Sequence, residues 1–283
     1  MASDKDKNTL VISDLDGTLL NDKAEISWVT SFKINTLIEE NGLFFSIATA
    51  RTWASCKKIL APLRLRLPIV LMNGVLIFDP KLKRYDVVNR LDGGMKLKID
   101  RLCTSLGIEC FMYTIFKNDM NTYYRKLATP AMKDFYEERK EKYYKSFTQI
   151  DHFEKVNADV IYFTFIDSKE RLQKVYDSFR YNSEVTMTFY EDVYNEGLWY
   201  LEIFSSSASK KKGVQYIKDY SGFDRVIGFG DNLNDIPMFE ACDEKVCVSN
   251  ATDEIKEYCD RMIGRNTDDA VANYLYGRFG KDN

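Results

Sequence analysis

Short apolar runs that alternate with amphipathic stretches are the feature that most limits how this chain of 283 residues can fold. Such runs are typical of strands buried on both faces. In the stretch Ser27–Glu40, Ile34, Leu37 and Ile38 share one helical face, and Gly42 can end that helix. Strands that alternate with helices predict βαβ units and a parallel sheet. The predicted core strands are Leu10–Ile12, Phe44–Ala48, Ile69–Met72, Val226–Phe229 and Val246–Val248, and a last helix starts at Thr267 and carries Val271 and Leu275.

The middle of the sequence has a different pattern. It is richer in Tyr and Phe, and alternation there predicts longer, half-buried antiparallel strands. We therefore predict an α/β fold, a Rossmann-like doubly wound parallel sheet core (1–91 and 205–283) split by an inserted α+β domain (92–204). The patterns behind the insert are CFMYTIF (110–116), VIYFTFID (160–167), VTMTFYE (185–191) and LWYLEIF (198–204), with helices between them such as Ser168–Phe179.

Composition excludes several classes of protein. The formal net charge of −3 gives no basic field for nucleic acid or an anionic membrane. The longest nearly uncharged apolar stretch, LPIVLMNGVLIF, is too short to span a bilayer, and the N-terminus MASDKDKNTL is too polar for a signal peptide. We expect a cytoplasmic protein, with reduced and mostly buried cysteines because no two form a CxxC pair. The cysteines are Cys56, Cys103, Cys110, Cys242, Cys247 and Cys259.

The sequence contains one histidine, His152. A Ser-His or Cys-His catalytic pair is therefore not expected, and neither is a zinc site. Proton transfer would have to rely on carboxylates, lysines or tyrosines.

Polar side chains follow the predicted core strands at the point where each strand ends. In open parallel sheets, ligands bind beyond the carboxyl ends of the strands, so these residues are expected to meet at one edge. A further lysine opens a helix in the stretch Ser209–Lys212. The candidate site residues are Asp14, Asp16, Thr18, Thr49, Arg51, Asn73, Lys210, Asp231, Asn234 and Asp235.

This set of residue types suits phosphoryl transfer. Several carboxylates in one place repel each other, and their pKa values would rise unless a cation offsets the charge. Oxygen ligands of this kind suit Mg²⁺, which leaves a coordination position for a phosphate. Hydroxyls and a lysine ammonium can hold phosphate oxygens, and an aspartate can act as a nucleophile. Together these features predict Mg²⁺-dependent phosphoryl transfer.

The same motifs resemble a known family. DLDGT (14–18), Thr49 after a strand, the helix-opening Lys210 and GDNLND (230–235) resemble, in order, the four motifs of the haloacid dehalogenase (HAD) superfamily of phosphohydrolases. The resemblance covers the core, while the insert matches by position, size and strand pattern. It implies the C2B type of cap domain. Further segments that resemble the Cof-type, IIB-cap subgroup are ATAR (48–51), MNG (72–74), SNA (249–251) and RNTDDAVA (265–272).

The resemblance implies a role for each acid. Asp14 would be the nucleophile that attacks phosphorus. Asp16 would protonate the leaving oxygen and then activate water, and its backbone carbonyl would bind Mg²⁺. On a strand, residues two positions apart share a face, so both acids can address one phosphate. Asp231 would also bind Mg²⁺, with support from Asp235 and Asn234. The expected metal set is therefore Asp14, Asp16, Asp231 and Asp235.

The remaining candidates would serve the phosphate. Thr18 would brace the Asp16 carboxylate, and Thr49 would hydrogen-bond the phosphate. Lys210, which the family pattern favours over Lys211, would neutralise charge on the nucleophile and the phosphate. Two residues stay open between a substrate contact and a purely structural tie between loops, namely Arg51 and Asn73.

We therefore predict a phosphoric monoester hydrolase that uses Mg²⁺ and forms an aspartyl-phosphate. The expected partner is a small phosphorylated metabolite, a sugar phosphate first, over which the insert would close. No nucleic-acid or membrane partner is expected, and the chain would be a monomer or a weak homo-oligomer. Superfamily dehalogenases typically lack an acid at the position of Asp16, which favours phosphatase chemistry.

Two alternatives remain at this point. A phosphomutase of the phosphomannomutase kind would return the phosphoryl group to a sugar instead of to water. A receiver-like signalling module would also phosphorylate a strand-end aspartate. Receivers are typically much shorter, place their extra acids as an adjacent pair and carry no large insert, which argues against the second alternative.

Overall fold

The computed structural model describes residues 8–192 and 195–280. These residues form two compact units, a core unit up to Val87 and from Ser209 onward, and an inserted unit from Val88 to Ala208. The insert was expected over 92–204. The flanking residues belong to it because Leu91 N donates to Val160 O (2.8 Å) and Ser206 N donates to Glu184 O (3.0 Å).

Fourteen strands and nine helices follow one another along the described residues. None of these helices is long and apolar enough to cross a lipid bilayer. The strands are β1 Thr9–Ser13, β2 Phe44–Ile47, β3 Ile69–Leu71, β4 Leu76–Asp79, β5 Arg84–Val88, β6 Phe111–Phe116, β7 Asp119–Tyr124, β8 Phe147–Gln149, β9 Asp159–Asp167, β10 Val185–Glu191, β11 Trp199–Ser205, β12 Arg225–Gly230, β13 Glu244–Val248 and β14 Arg261–Ile263. The helices are α1 Trp28–Glu40, α2 Trp53–Leu60, α3 Gly93–Leu106, α4 Pro130–Tyr143, α5 Lys169–Phe179, α6 Lys210–Ser221, α7 Ile236–Phe239, α8 Asp253–Lys256 and α9 Ala270–Phe279.

The core unit is built on a five-stranded sheet with the order β14-β13-β12-β1-β2. All of its pairings are parallel, and β1 lies between β12 and β2 with all five residues buried. This confirms the predicted parallel α/β core. Strands that are covered on both faces are mostly apolar, and Leu10–Ile12 form the apolar run within β1.

The third predicted core strand is placed differently. β3 pairs antiparallel with β4 in a separate sheet of the order β3-β4-β5. In the described residues it meets the parallel sheet through one bridge, between Ala48 and Val70. The tight turn at 72–74 sends the chain straight back along β3, so β3 and β4 pair antiparallel, while the bridge between Ala48 and Val70 is parallel.

The predicted first and last helices lie close to their expected positions. Ser27 caps α1 by accepting a hydrogen bond from Thr30 N (2.9 Å). The hydroxyls of Ser27 and Thr30 both donate to Asp269, the residue before α9. The last helix begins at Ala270 instead of Thr267, because Asp269 has a positive φ of 54° and residues 266–268 form a separate turn.

The inserted unit contains a six-stranded sheet with the order β10-β11-β9-β6-β7-β8. Its pairings are antiparallel apart from β7 with β8. Helices α3 and α5 contribute buried residues to the same hydrophobic core as β9, which confirms the predicted α+β insert. The buried residues of this core include Met95, Ile99, Phe163, Phe165, Leu172 and Val175.

Two of the six cysteines lie side by side in the core unit. The Cα atoms of Cys247 in β13 and of Cys259 are 6.0 Å apart. Helix α8 turns the chain back so that these residues, 12 positions apart, become neighbours. The other cysteines are Cys56, Cys103, Cys110 and Cys242.

Candidate active site

Asp14 lies immediately beyond β1, at the carboxyl edge of the parallel sheet. Its backbone N–H donates to Phe229 O (2.9 Å), which extends the ladder with β12 by one residue. Asp14 is 4% exposed, and Lys210 Nζ donates to its Oδ1 (2.6 Å). The sheet thus fixes the backbone while a buried ammonium orients the carboxylate.

The prediction that Asp14 and Asp16 share a strand face is wrong. β1 ends at Ser13, and the chain turns tightly through 15–19. Gly17 in this turn has φ +77°, and a Cβ there would overlap the Asp231 carboxylate. The turn therefore requires glycine, and Asp16 lies within this turn and not on the strand.

Asp16 pairs with Arg51 through both carboxylate oxygens. Arg51 Nε and one terminal nitrogen donate over 2.7 and 2.6 Å. The Arg51 side chain is 18% exposed, and that of Asp16 is 51% exposed. Arg51 N donates to Thr49 Oγ1 (3.1 Å) and its carbonyl accepts from Met72 N (3.1 Å), so the backbone that carries the guanidinium is held on both sides.

Lys210 begins α6, behind the N-cap Ser209, whose hydroxyl accepts from Lys212 N (3.1 Å). It is 1% exposed and donates to Asp14 and to Asp235, each over 2.6 Å. The side chain of its neighbour Lys211 is 52% exposed and pairs with Glu240 at 3.1 Å. The structure therefore brings Lys210, and not Lys211, to the nucleophile.

Asp231 and Asp235 complete a group of three acids. Thr18 Oγ1 donates to Asp231 Oδ1 (2.7 Å), instead of bracing Asp16 as expected. Asp235 is fully buried, and its Oδ2 accepts from Asp231 N (3.0 Å) and Asn232 N (3.2 Å). Asp235 thus fixes the loop that presents Asp231, whereas the nearby Asn234 is exposed.

The electrostatics of this group favour an added cation. Carboxylate oxygens of Asp14, Asp231 and Asp235 all lie within 4.8 Å of one another. Burial, followed by repulsion from Asp235, raises the pKa of Asp14 well above its usual range and raises the pKa of Asp231 to about 7. Burial lowers the pKa of Lys210. The negative charges of Asp14 and Asp235 raise it by more, so the pKa of Lys210 is raised overall.

These residues fit a hard divalent cation. Lys210 takes one oxygen of Asp14, and Thr18 takes one oxygen of Asp231. Within the described residues this leaves the second oxygen of each carboxylate for a cation. Three carboxylates face one ammonium here, and oxygen donors of this kind suit Mg²⁺.

We expect the stability of the metal-free protein to fall as the pH rises from about 5 to about 8. The pKa of Asp231 is raised from 3.8 to about 7 in the folded chain, so the folded state binds a proton that the unfolded state has released. The resulting stability is present at low pH and is lost as the pH rises through 7. Thermal denaturation in EDTA measures this, and added Mg²⁺ should raise Tm more at pH 8 than at pH 6.

The matched variant for this prediction is Asp231→Asn, which should show a smaller fall in Tm over the same range. A Tm in EDTA that rises from pH 5 to pH 8 would contradict the electrostatic account.

Thr49 and Asn73 lie on two loops that are tied together. Thr49 is 1% exposed, and its carbonyl accepts from Asn73 N (3.1 Å). Asn73 is 8% exposed, with its Oδ1 buried and unpaired. Met72, Asn73 and Gly74 have φ values of 50°, 55° and 94°. The left-handed conformation strains Met72 and Asn73, which are not glycines, and such strain is concentrated at functional sites.

Gly74 is the position in this turn that tolerates no side chain. A Cβ there would overlap the backbone of Ser209, the cap of α6. We expect Gly74→Ala to destabilise the fold by about 3 kcal/mol and to lower activity by displacing Lys210. Gly42→Ala is the control, since Gly42 also has a positive φ (+72°) but no atom within 4 Å of the added Cβ. It should cost about 1 kcal/mol in urea denaturation, and equal costs would contradict the overlap argument.

Two asparagines brace the turn after Asp14, and their roles were not predicted. Asn250 Nδ2 donates to Gly17 O (2.8 Å), and its Oδ1 accepts from Asn266 N (3.0 Å). Asn266 Nδ2 donates in turn to Leu20 O (2.7 Å). Both belong to segments noted for their resemblance, SNA and RNTDDAVA, and that resemblance was the one signal that pointed to them.

Known proteins resemble this chain over nearly its whole length. A family model described as haloacid dehalogenase-like hydrolase matches residues 11–275. A curated relative, the 5-amino-6-(5-phospho-D-ribitylamino)uracil phosphatase YitU of Bacillus subtilis (strain 168), is 27% identical over 285 residues, which cover 95% of this chain and 97% of that protein.

Solved structures with the same fold cover nearly the whole chain. The structure of TM0651 from Thermotoga maritima superposes with a TM-score of 0.78 at 22% identity, over 96% of this chain and 98% of that one. The HAD subclass IIB sugar phosphatase BT4131 gives a TM-score of 0.73 at 18% identity, over 95% of this chain and 98% of that one. At these identities the likeness establishes the architecture.

Proposed function

This chain belongs to the haloacid dehalogenase-like hydrolases and is an enzyme of the phosphatase kind, and we propose that it hydrolyses a small phosphorylated metabolite through an aspartyl-phosphate at Asp14. One observation carries the proposal. Asp14 is buried beyond β1, paired with Lys210 and grouped with Asp231 and Asp235. This arrangement provides a nucleophile, a fixed positive charge and a place for a cation.

In the first step, one carboxylate oxygen of Asp14 attacks phosphorus. The phosphoryl group passes to the carboxylate as the bond to the leaving alkoxide breaks. Lys210 Nζ, 2.6 Å from Asp14, is placed to offset negative charge on the phosphoryl oxygens as they approach. Water then attacks the aspartyl-phosphate, which releases phosphate and restores Asp14.

Asp16 is proposed as the group that moves protons. It would donate a proton to the leaving oxygen and later accept one from the attacking water. In the structure both of its oxygens accept hydrogen bonds from Arg51, so it cannot donate in that arrangement. The proposal therefore requires this pair to open during turnover, and an incoming phosphate dianion can compete for the Arg51 guanidinium.

Asp14 and Asp231 are the residues proposed to hold Mg²⁺, with the Asp16 carbonyl as a further ligand and Asp235 as the carboxylate that fixes their loop. The ion would supply positive charge for the phosphate oxygens. Thr49 is proposed to donate a hydrogen bond to the phosphate, since its hydroxyl is buried beside the loop that carries Arg51.

A phosphorylated sugar or sugar alcohol is the proposed substrate class. The relative YitU is named for a phosphate carried on a ribityl group, and BT4131 is named a sugar phosphatase. These names support the class, and they leave the individual compound to experiment.

A phosphate-release screen tests the proposal. The full chain is assayed with Mg²⁺ against sugar phosphates, sugar-alcohol phosphates and other phosphorylated metabolites. We expect release from some of them and loss of release when EDTA is added. Release that is unaffected by EDTA would contradict the metal proposal. Isomer formation stimulated by a bisphosphate, without free phosphate, would replace hydrolysis by phosphomutase chemistry.

A further inference from the structure

The guanidinium of Arg51 uses one of its edges entirely for Asp16. Arg51 Nε donates to Asp16 Oδ2 (2.7 Å), and Arg51 Nη2 donates to Asp16 Oδ1 (2.6 Å). The same planar edge can hold either a carboxylate or two terminal oxygens of a phosphate. A phosphate that takes this edge of Arg51 must therefore displace Asp16.

The two partners of this ion pair differ in exposure. The side chain of Arg51 is 18% exposed, whereas that of Asp16 is 51% exposed. Solvent therefore reaches the pair mainly on the Asp16 side, and a competing anion would arrive on that side.

The two partners also differ in how firmly they are held. Arg51 N donates to Thr49 Oγ1 (3.1 Å), and Arg51 O accepts from Met72 N (3.1 Å), so two loops fix its backbone. Asp16 lies in the turn 15–19, and within the described part of the chain its side chain accepts hydrogen bonds from Arg51 alone. When the pair opens, Asp16 is the partner that moves.

We propose that Arg51 selects the charge of the group that the enzyme accepts, which deepens the proposed function and rests on it. The terminal group of a phosphomonoester carries up to two negative charges on three oxygens, whereas the Asp16 carboxylate carries one. A dianion attracts the guanidinium more strongly than Asp16 does and can open the pair. A monoanion, such as a phosphodiester or a phosphonate monoester, has no excess of charge over Asp16 and leaves the pair closed. Arg51 is thus a specificity-determining residue for dianionic phosphomonoesters.

The same exchange releases Asp16 for its proposed role. Once a phosphate occupies the edge of Arg51, both carboxylate oxygens of Asp16 are available for proton transfer to the leaving oxygen and from water. The binding of the correct group and the release of the acid–base residue are therefore one event.

Two p-nitrophenyl esters of similar size test the charge selection. p-Nitrophenyl phosphate is a dianion, and p-nitrophenyl methylphosphonate is a monoanion in which a methyl group replaces one oxygen. The ratio of their kcat/KM values is measured with Mg²⁺ in the native chain and in Arg51→Met. The intrinsic reactivities of the esters cancel, because both proteins receive the same pair.

We expect Arg51→Met to lower this ratio about 50-fold, since hydrogen bonds between charged groups are lost for the dianion. Arg66→Met, which changes an exposed arginine in the loop before β3, is the control and should keep the native ratio. The same ratio in the native chain and in Arg51→Met would overturn the proposal.

Two unreactive anions test the selection without turnover. At about pH 8.5 methylphosphonate is a dianion, and methanesulfonate is a monoanion of the same shape. Thermal denaturation of the full chain is measured with Mg²⁺ and each anion at equal ionic strength. We expect methylphosphonate to raise the native Tm by about 3 °C and methanesulfonate by less than about 1 °C. Arg51→Met should remove this difference.

Equal Tm shifts from the two anions in the native chain, or a difference that persists in Arg51→Met, would overturn the charge selection. A difference that depends on Arg51, without hydrolysis of any ester, would support the selection and overturn the proposed hydrolysis instead.

Discussion

Replacing Asp14 with asparagine lowers kcat by about 10⁴-fold or more, because the amide is a poor nucleophile and cannot form the aspartyl-phosphate. The side chains have nearly the same shape, and Asp14 is 4% exposed, so the effect should come from chemistry and not from repacking. The measurement is initial-rate phosphate release on the best substrate of the screen.

The same variant should fold normally. It removes one of three clustered carboxylates, and with it the two largest causes that raise the pKa of Asp14, which are burial of its charge and then repulsion from Asp235. We expect a Tm in EDTA at pH 8 that is equal to or above that of the native chain. Asp22→Asn, in an exposed loop shortly after the turn, is the matched control and should keep full activity. An Asp14→Asn protein with native kcat would remove Asp14 as the nucleophile.

Replacing Lys210 with methionine should lower both activity and stability. Methionine fills a similar volume, but Asp14 and Asp235 lose the ammonium that each contacts at 2.6 Å. Leaving buried carboxylates without a partner costs about 3–5 kcal/mol of unfolding free energy. Loss of a charge placed for the phosphoryl oxygens should reduce kcat by about 10³-fold. Urea denaturation and phosphate release measure the two effects.

Lys211→Met is the control, because Lys211 is exposed and pairs with Glu240 on the surface. Its effect on stability should stay below about 1 kcal/mol, and its activity should be native. The double variant Lys210→Met/Asp14→Asn should be more stable than Lys210→Met alone, since it carries one fewer unpaired buried charge. Equal losses in the two lysine variants would show that the buried bridge does not carry the effect.

Much of the core could be predicted because its signal is local. A strand covered on both faces needs an unbroken apolar run, and the predicted strand Val226–Phe229 lies within the observed Arg225–Gly230. Helix α1 was located by its apolar spacing and by Ser27 as its cap. In the insert, β7 (DMNTYY) and α4 were not located individually, because β7 does not alternate and α4 has few apolar residues.

The candidate site likewise has a part that the local sequence predicts and a part that it does not. The strand-end acids Asp14 and Asp231 and the helix-opening Lys210 follow from local pattern and motif order. The partners of the side chains do not. Thr18 donates to Asp231, 213 positions away, and not to Asp16, two positions away.

By itself the sequence determined which segments are buried, which elements alternate and which acids stand at strand ends, because these depend on neighbours along the chain. The tertiary structure decided that Asp16 pairs with Arg51, that β3 pairs antiparallel with β4 and that Cys247 reaches Cys259. Each of these depends on a turn that sets the direction of the chain, as the positive φ of Gly17 does after β1. Rotation about one backbone bond changes which distant residue a side chain contacts, and the local sequence pattern does not indicate that partner.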